Sequence, residues 1–409
     1  MRELFYLTYR SIQNRKITFF LSVISITISV LLLLGVDKAV KSSKEHFINT
    51  INSTDLIVAS SNGSLDILLN LIFHLSDPLK EMSYRSFEDI KAFDEVAWAV
   101  PLSLGDSFNG YDVVSTNKEY FKYYKYSSSK SLKFAQGRGF VGFYDVVLGS
   151  GVAKKLHLKV GDTIHLSHGS GHHKHTHKNR AFKVVGVLEA SMTPNDKSVF
   201  MQLKADEAIH MEWQSGHFVD MHISSEKLSH MDIKPKHISG FILGLKNRSD
   251  ILSVEDKVKH YRGENLTAVI PAKALSKLYK LMKNIQDLLM IISSAVFIAA
   301  IFTMLSSMFS TLNERRREIA IFRSLGAGVK TIFLLFAFES FLVVVSGIIS
   351  GIALVEILGL FSPFKLSFGI DTYQLFMLFA MLVIALLSSL FPAFKSYKNS
   401  LADGLMVKM

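Results

Sequence analysis

Four long apolar runs constrain this chain more than any other feature of its sequence. They comprise residues 17–36, 288–310, 331–358 and 373–391. A helix of about 20 residues crosses a hydrocarbon core about 30 Å thick, so each run is long enough to span a bilayer. A buried globular helix is the alternative for any single run, but three of the four are packed into the last third of the chain. The sequence therefore predicts four transmembrane helices.

The first run could instead belong to a secretory signal peptide. The apolar region of such a peptide is about 7–15 residues long and precedes a small-residue cleavage site. Residues 17–36 form a longer run, and the VDKAVKSS sequence around its end is a poor cleavage site. We therefore expect a retained anchor, preceded over residues 1–16 by a cytoplasmic amphipathic helix with Phe5, Tyr9 and Ile12 at helical spacing.

Basic residues predict the orientation of these spans. The formal net charge is +11, which fits either nucleic acid binding or the excess of Lys and Arg that cytoplasmic loops carry. The basic residues cluster before the first run, within 313–330 and over 392–409, whereas Lys365 in the 359–372 loop is balanced by Asp371. This pattern predicts a multipass membrane protein with cytoplasmic termini and an external segment over 37–287, and it argues against a nucleic acid partner.

The segment between the first two spans has the pattern of a mixed α and β domain. We predict strands over 55–60, 146–149, 163–166, 182–188, 198–201, 241–245 and 267–270. Predicted helices cover 78–93, with Ser86 as the N-cap, and 249–261, and a long helix runs from Ala272 into the second span. A membrane-proximal lobe would comprise 42–110 and 213–283, and a β-rich lobe 111–212. The fold class is therefore membrane α-helical, with four transmembrane helices and a large α+β extracytoplasmic domain inserted between spans one and two.

One segment superficially resembles a nucleotide-binding loop. A phosphate loop needs Gly directly before Lys-Ser/Thr, and in LGAGVKT at 325–331 that position holds Val329. The segment also leads into a membrane span rather than a soluble helix. We therefore expect that this chain is not an enzyme, and that any ATP and Mg²⁺ are bound by a partner subunit. Cysteine is absent, which excludes disulfides and thiolate metal sites.

The most specific motif follows the second span. Residues 313–327 show the pattern E-R-x-x-E-I-x-x-x-R-x-x-G-A, and Glu339 lies early in the next span. The layout of one span, a large external domain and three further spans accompanies it. Residues 105–114, 146–162, 184–200 and 392–406 are also similar, although Leu401 replaces a usual Pro. With these features the chain resembles the ABC permease family that includes the macrolide exporter MacB, the lipoprotein-releasing permeases and FtsX.

The resemblance implies a bacterial inner-membrane location with a periplasmic domain over 37–287, and it also implies partners and a mode of action. A second permease copy or paralogue would complete the membrane part, and a dimer of ABC ATPase subunits would drive movement of the periplasmic domain by mechanotransmission. A periplasmic binding or adaptor protein and membrane lipid are further expected partners, and cargo could be a lipoprotein, a peptide or an amphiphile. The ATPase-coupling residues would be Glu314, Arg315, Arg316, Arg317, Glu318, Arg323 and Gly326.

The third span carries candidate packing residues. Gly347 and Gly351 form a small-xxx-small face that lets helices approach closely. Glu339 and Glu356 are costly inside a bilayer, so we expect them to face protein or to lie near the interface.

A histidine-rich loop marks the external segment. It holds His165, His168, His172, His173, His175 and His177. Imidazole is a ligand for zinc, copper or nickel, and Asp196, His210, His217, His222 or His230 could complete a site. We expect Zn²⁺ here; the alternative is a polar hairpin that binds nothing. The same loop leaves open a second function, that of a metal-sensing binding protein whose spans merely anchor it.

Overall fold

The computed structural model describes residues 13, 15–51, 54–61, 63–75, 79–127, 129–168, 175–176, 180–210, 213–214, 217–218, 233–310, 328–361 and 369–403. Its α-helices are α1 (Lys16–Thr50), α2 (Ser64–Leu71), α3 (Tyr84–Lys91), α4 (Glu119–Tyr123), α5 (Ser150–Leu156), α6 (Leu203–His210), α7 (Ile251–Lys259), α8 (Pro271–Ser310), α9 (Val329–Phe361) and α10 (Thr372–Asp403).

The strands are short apart from one. They are β1 (Leu56–Ala59), β2 (Met82–Ser83), β3 (Val96–Phe108), β4 (Tyr111–Thr116), β5 (Lys125–Tyr126), β6 (Lys130–Ser131), β7 (Phe134–Gly137), β8 (Asp145–Leu148), β9 (Thr163–Ile164), β10 (Ser167–His168), β11 (His175–Thr176), β12 (Phe182–Leu188), β13 (Ser198–Gln202), β14 (Trp213–Gln214), β15 (His217–Phe218), β16 (His237–Ile238), β17 (Gly240–Leu245) and β18 (Thr267–Val269).

The chain divides into two compact units. The helical unit comprises Met1–Ser43 and Leu281–Met409, and the outer unit comprises Lys44–Lys280. Helices α1, α8, α9 and α10 each contain a stretch long and apolar enough to cross a membrane. The predicted fold class, four membrane helices and a large α+β domain inserted after the first, is confirmed.

The helical unit buries a large apolar cluster and exposes other apolar side chains. The cluster includes Ile26, Val30 and Leu34 of α1 together with Met304 of α8 and Val344 of α9. Outward-facing positions remain apolar, with large exposed side chains at Phe20, Ile24, Ile28, Ile291, Phe302, Ile349, Phe376, Phe379 and Leu387. In water so much exposed apolar surface would drive aggregation, whereas lipid solvates it.

A twelve-stranded sheet runs through the outer unit, with its main path in the order β18-β1-β17-β3-β4-β13-β8-β12-β7. The first half of β3 pairs with β17, and its second half pairs with β4. One long strand therefore joins the strands on its two sides into a single sheet.

Both faces of this sheet are buried along strands such as β1, β8 and β17. Alternate residues of β1 lie in two different clusters, with Ile57 and Ala59 in one and Leu56 and Val58 in the other. Such strands carry a continuous apolar sequence because neither face meets water. The same reason made β8, β12 and β13 recognisable in the sequence as apolar runs.

The β3–β4 hairpin was not predicted from the sequence. Its turn is Asn109-Gly110, with φ values of +49° and +85°. Both residues take left-handed φ values, which Asn and Gly adopt at least cost and which match the twist of a two-residue hairpin. Strand β3 itself was hard to recognise because it contains Pro101 and Gly105.

Helix α3 corrects the predicted N-cap. The helix begins at Tyr84 and not at residue 78, and the capping residue is Ser83, whose hydroxyl accepts a hydrogen bond from Arg85 N at 3.2 Å. Ser86 is buried within the helix instead. Ser83 has the extended backbone that an N-cap requires, and Ser86 lies one turn too late.

Candidate functional site

The third membrane helix packs closely on the first through two glycines. A methyl group at Gly347 would lie 2.6 Å from Cγ2 of Ile26, and one at Gly351 would lie 2.6 Å from Cβ of Val30. Thr27 Oγ1 donates to Val23 O at 2.8 Å within its own helix. The small residues thus allow α9 and α1 to approach to a distance that any side chain would prevent.

A buried ion pair joins the same two helices. Lys38 Nζ of α1 donates to Glu356 Oε1 of α9, and the side chains are 3% and 27% exposed. Lys38 follows the predicted first span by two residues in the sequence. The structure places it against Glu356, which therefore faces protein.

A second polar network fixes the start of α10. Asp371 Oδ1 accepts from Gln374 N at 2.8 Å, and Gln374 Oε1 accepts from Asp371 N at 3.3 Å, which is the reciprocal pattern of a capping box. Gln374 Nε2 also donates to the buried carboxylate of Asp37 at 2.8 Å. Lys41 contacts both Asp37 and Asp371. The sequence signal was Asp-x-x-Gln before an apolar run.

Glu339 lies near the other end of α9. It is half-buried and lines a small cleft with Arg15 and Ser22 of the first helical segment and Ser307 and Met308 of α8. This carboxylate therefore faces protein atoms from other helices.

The expected ATPase-coupling residues fall outside the described part of the chain. These are Glu314, Arg315, Arg316, Arg317, Glu318, Arg323 and Gly326. Their role stays a prediction.

The histidine-rich loop is described only at its two ends. His168 and His175 lie in β10 and β11, which pair with each other, whereas His172, His173 and His177 fall outside the described residues. His165 is exposed, and its Nδ1 lies 3.1 Å from Arg180 O. Strand β10 also pairs with β3, with His168 opposite Asp106.

Asp196 is used within its own turn. Its carboxylate accepts from Ser191 N at 2.9 Å, from Ser191 Oγ at 2.8 Å and from Met192 N at 2.7 Å. These contacts account for much of its capacity to accept hydrogen bonds. A metal at Asp196 would have to compete with them.

His210, at the end of α6, lies between two carboxylates. Its Nδ1 is 3.3 Å from Asp206 Oδ1 and its Nε2 is 3.7 Å from Asp106 Oδ1. Burial by itself would lower the pKa of His210, but the hydrogen bond and charge of Asp206 and the charge of Asp106 outweigh it and raise the pKa to about 10.

Two family models match the chain. Residues 19–261, more than half of it, match the MacB-like periplasmic core domain, and residues 290–401 match the FtsX-like permease C-terminal domain. The chain belongs to the MacB/FtsX superfamily of ABC permeases. A MacB/FtsX permease is a multipass inner-membrane protein that generally works with an ABC ATPase, and such a subunit is typically not catalytic itself.

Two solved structures are similar to this MacB/FtsX permease at low identity. One is the periplasmic region of MacB from Actinobacillus actinomycetemcomitans, with 12% identity, 57% of this chain and 95% of that chain covered, and a TM-score of 0.36. The other is the extracellular domain of the noncanonic ABC-type transporter YknZ from Gram-positive bacteria, with 13% identity, coverages of 54% and 99%, and a TM-score of 0.30. The comparison with curated proteins found no match.

Proposed function

We propose that this chain is the permease subunit of a mechanotransmission-type ABC transporter. In this proposal a dimer of separate ATPase subunits binds ATP and Mg²⁺ beneath residues 313–330, and hydrolysis moves the periplasmic domain. The termini are cytoplasmic, and a second permease, either identical or paralogous, completes the membrane part. Lipid surrounds the four spans, and a periplasmic binding or adaptor protein is a further partner.

The length of two helices carries this proposal. Helix α1 has 35 residues and α8 has 40, so at 1.5 Å per residue they are about 52 Å and 60 Å long, against about 30 Å of hydrocarbon. The chain passes from the helical unit to the outer unit within α1 and returns within α8. A continuous helix transmits a displacement along its axis, which a flexible linker would not do.

Charge at the cytoplasmic loop supports the coupling role. Three consecutive arginines, Arg315 to Arg317, lie between two acidic residues, Glu314 and Glu318. Arginine forms bidentate hydrogen bonds with carboxylates, so such a segment can dock on an acidic surface of an ATPase.

The test is a complex with an ATPase. The full chain would be co-expressed with each stand-alone ABC ATPase of its source organism and reconstituted in nanodiscs, and ATP hydrolysis would be measured. Changing Arg315, Arg316 and Arg317 to Glu should abolish the complex, because the added charges repel an acidic surface. Arg262→Glu, an exposed change in the outer unit, is the matched control and should leave hydrolysis unchanged.

Movement of the outer unit is a separate requirement. The chain has no cysteine, so Lys259→Cys introduces one labelling site on an exposed position of α7. The distance between spin labels on two permease copies should differ between the nucleotide-free and ATP-bound complexes. An active complex with an unchanged distance would contradict mechanotransmission.

A second proposal concerns the cargo. We infer that the transporter handles a divalent metal, zinc by preference, and the six histidines between 165 and 177 support this assignment because imidazole is a ligand for such ions. The ATPase experiment above, together with a zinc titration, distinguishes this proposal from two alternatives. A metal-sensing, membrane-anchored binding protein would bind zinc but no ATPase, and a permease for lipoproteins, peptides or amphiphiles would bind an ATPase but no zinc.

A further inference from the structure

Three side chains of metal-ligating types converge in the outer unit. They are Asp106 of β3 and Asp206 and His210 of α6. One ligand atom from each lies within 4.8 Å of the others. Within the described ranges, no other group of three or more His, Asp or Glu side chains lies close enough together to hold a metal ion.

Local structure positions each ligand. Asp206 and His210 are four residues apart in a helix, so both side chains lie on one face. Asp106 lies in a β-bulge, because Gly105 and Asp106 together oppose the single residue between the paired positions of β4. A bulge redirects a side chain out of the regular alternation of a strand, and such bulges are common beside functional sites.

The imidazole is held in the orientation that a metal ligand needs. His210 Nδ1 donates a hydrogen bond to the main-chain carbonyl of Asp206 at 2.9 Å. This bond leaves Nε2 directed at Asp106 Oδ1, 3.7 Å away. Histidine ligands in metalloproteins usually donate their other N–H in this way, which fixes the tautomer and the ring plane.

The spacing and burial also fit a cation. In a tetrahedral site with bonds of about 2.0–2.2 Å, neighbouring ligand atoms are about 3.4 Å apart. The side chains of Asp106 and Asp206 are 1% and 12% exposed, whereas that of His210 is 36% exposed. The two carboxylates carry two negative charges, of which protonated His210 balances one, whereas a divalent cation that displaces this proton balances both. The exposed side of the imidazole leaves a path from solvent.

We propose that Asp106, Asp206 and His210 form a binding site for a divalent first-row transition cation such as zinc. One imidazole nitrogen and two carboxylate oxygens suit this class of ion, and the chain has no thiolate to offer. Since His168 is the register partner of Asp106, the histidine-rich loop begins beside the site and can deliver ions to it. The inference extends the metal-handling part of the proposed function and does not depend on ATPase coupling.

The chain provides a matched control for the site. His260 and Asp256 repeat the same arrangement on α7, with Nδ1 2.9 Å from Asp256 O and 3.2 Å from Asp256 Oδ1. These two side chains are 69% and 72% exposed. The pair therefore tests what an Asp-x-x-x-His motif binds on an exposed helix face.

Zinc chloride titrations of the full chain in nanodiscs test the proposal. In a background with the six loop histidines changed to Ser, one zinc ion per chain should remain bound. In that background His210→Ala and Asp106→Asn should each weaken the Kd by about 100-fold or more, since even outer-shell changes cost 10–100-fold. His260→Ala should leave the Kd unchanged.

Asp106→Asn keeps the shape of the side chain, so its zinc Kd tests the site even if His210→Ala fails to fold. Unfolding curves of the metal-free variants show whether each one is folded. If the loop variant binds no zinc, or if the site variants bind it as tightly as His260→Ala, the three residues are an ion-pair cluster and the inference is wrong. If the six loop changes by themselves abolish zinc binding, the loop is the metal site, and the metal-handling part of the proposed function still holds. Zinc binding at the site without any ATPase complex would instead refute the transporter proposal and support the site.

Discussion

The ion pair between Lys38 and Glu356 should behave as a unit in the stability of the helical unit. Removing one partner of a buried pair leaves an uncompensated charge and costs about 3–5 kcal/mol, whereas replacing both with apolar residues is often close to neutral. Lys38 is 3% exposed and Glu356 is 27% exposed. The lysine can reach water less easily than the carboxylate, so Glu356→Leu should cost more than Lys38→Met.

These values predict a strong coupling between the two positions. Glu356→Leu is expected near the upper end of the range, Lys38→Met near the lower end, and the double variant within about 1 kcal/mol of the wild type. Their coupling energy is then at least about 7 kcal/mol, well above the roughly 0.5 kcal/mol within which independent sites add.

Unfolding in mixed micelles of detergent and SDS, followed by circular dichroism, measures these differences. Lys283→Met is the control, since it removes an exposed lysine from α8 in the same unit and should change stability by less than about 0.5 kcal/mol. If the effects of Lys38→Met and Glu356→Leu simply add, the two side chains do not interact in the membrane and the reasoning fails.

Three further changes test other parts of the fold. Gly351→Ala should destabilise the helical unit by about 1–3 kcal/mol in the same SDS titration, because the new methyl group would lie 2.6 Å from Val30 Cβ. Burial lowers the pKa of His74 to about 4, so the unfolded chain binds a proton between about pH 6.5 and 4 that the folded chain does not. Thermal unfolding should therefore show a loss of stability of about 2 kcal/mol as the pH falls through that window. Each pKa unit is worth about 1.4 kcal/mol, and the partial exposure of the side chain reduces the total. His74→Asn should make this loss smaller. Tyr120→Phe should cost about 1 kcal/mol in urea titrations, because its hydroxyl donates to Asn195 Oδ1 at 2.8 Å.

Each of these predictions has a result that contradicts it. An unchanged midpoint for Gly351→Ala would show that α1 and α9 can separate without cost. An acid slope that is identical in wild type and His74→Asn would assign the pH dependence to other groups. A Tyr120→Phe variant as stable as the wild type would mean that water or a neighbour satisfies Asn195 equally well.

The four spans could be predicted because a bilayer demands long apolar helices whatever the tertiary context. The extent of the helices that carry them was predicted unevenly. The helix expected from Ala272 into the second span matches α8, which begins at Pro271, whereas nothing in the sequence analysis extended the first helix beyond Val36, and α1 continues to Thr50. Hydropathy indicates only the part of a helix that lies in lipid. The start of α8 could be predicted because Pro271 occupies its first helical position.

The polar contacts were harder to predict because they join residues that are distant in sequence. Lys38 and Glu356 are 318 positions apart, and Asp106 is 100 residues from Asp206. Only the Asp206–His210 spacing lies within reach of a local pattern. The bulge that turns Asp106 towards them depends on the pairing of β3 with β4, which no periodicity reveals.

The position of the outer unit within the chain has a consequence for biosynthesis. At about 5–20 residues per second, a ribosome adds the 318 residues between Lys38 and Glu356 in roughly 16–64 s. During that interval α1 is already made, while α9 and α10, which supply Glu356 and Gln374, do not yet exist. The nascent first helix must therefore keep Asp37 and Lys38 hydrated or bound by an insertion factor until the last third of the chain emerges.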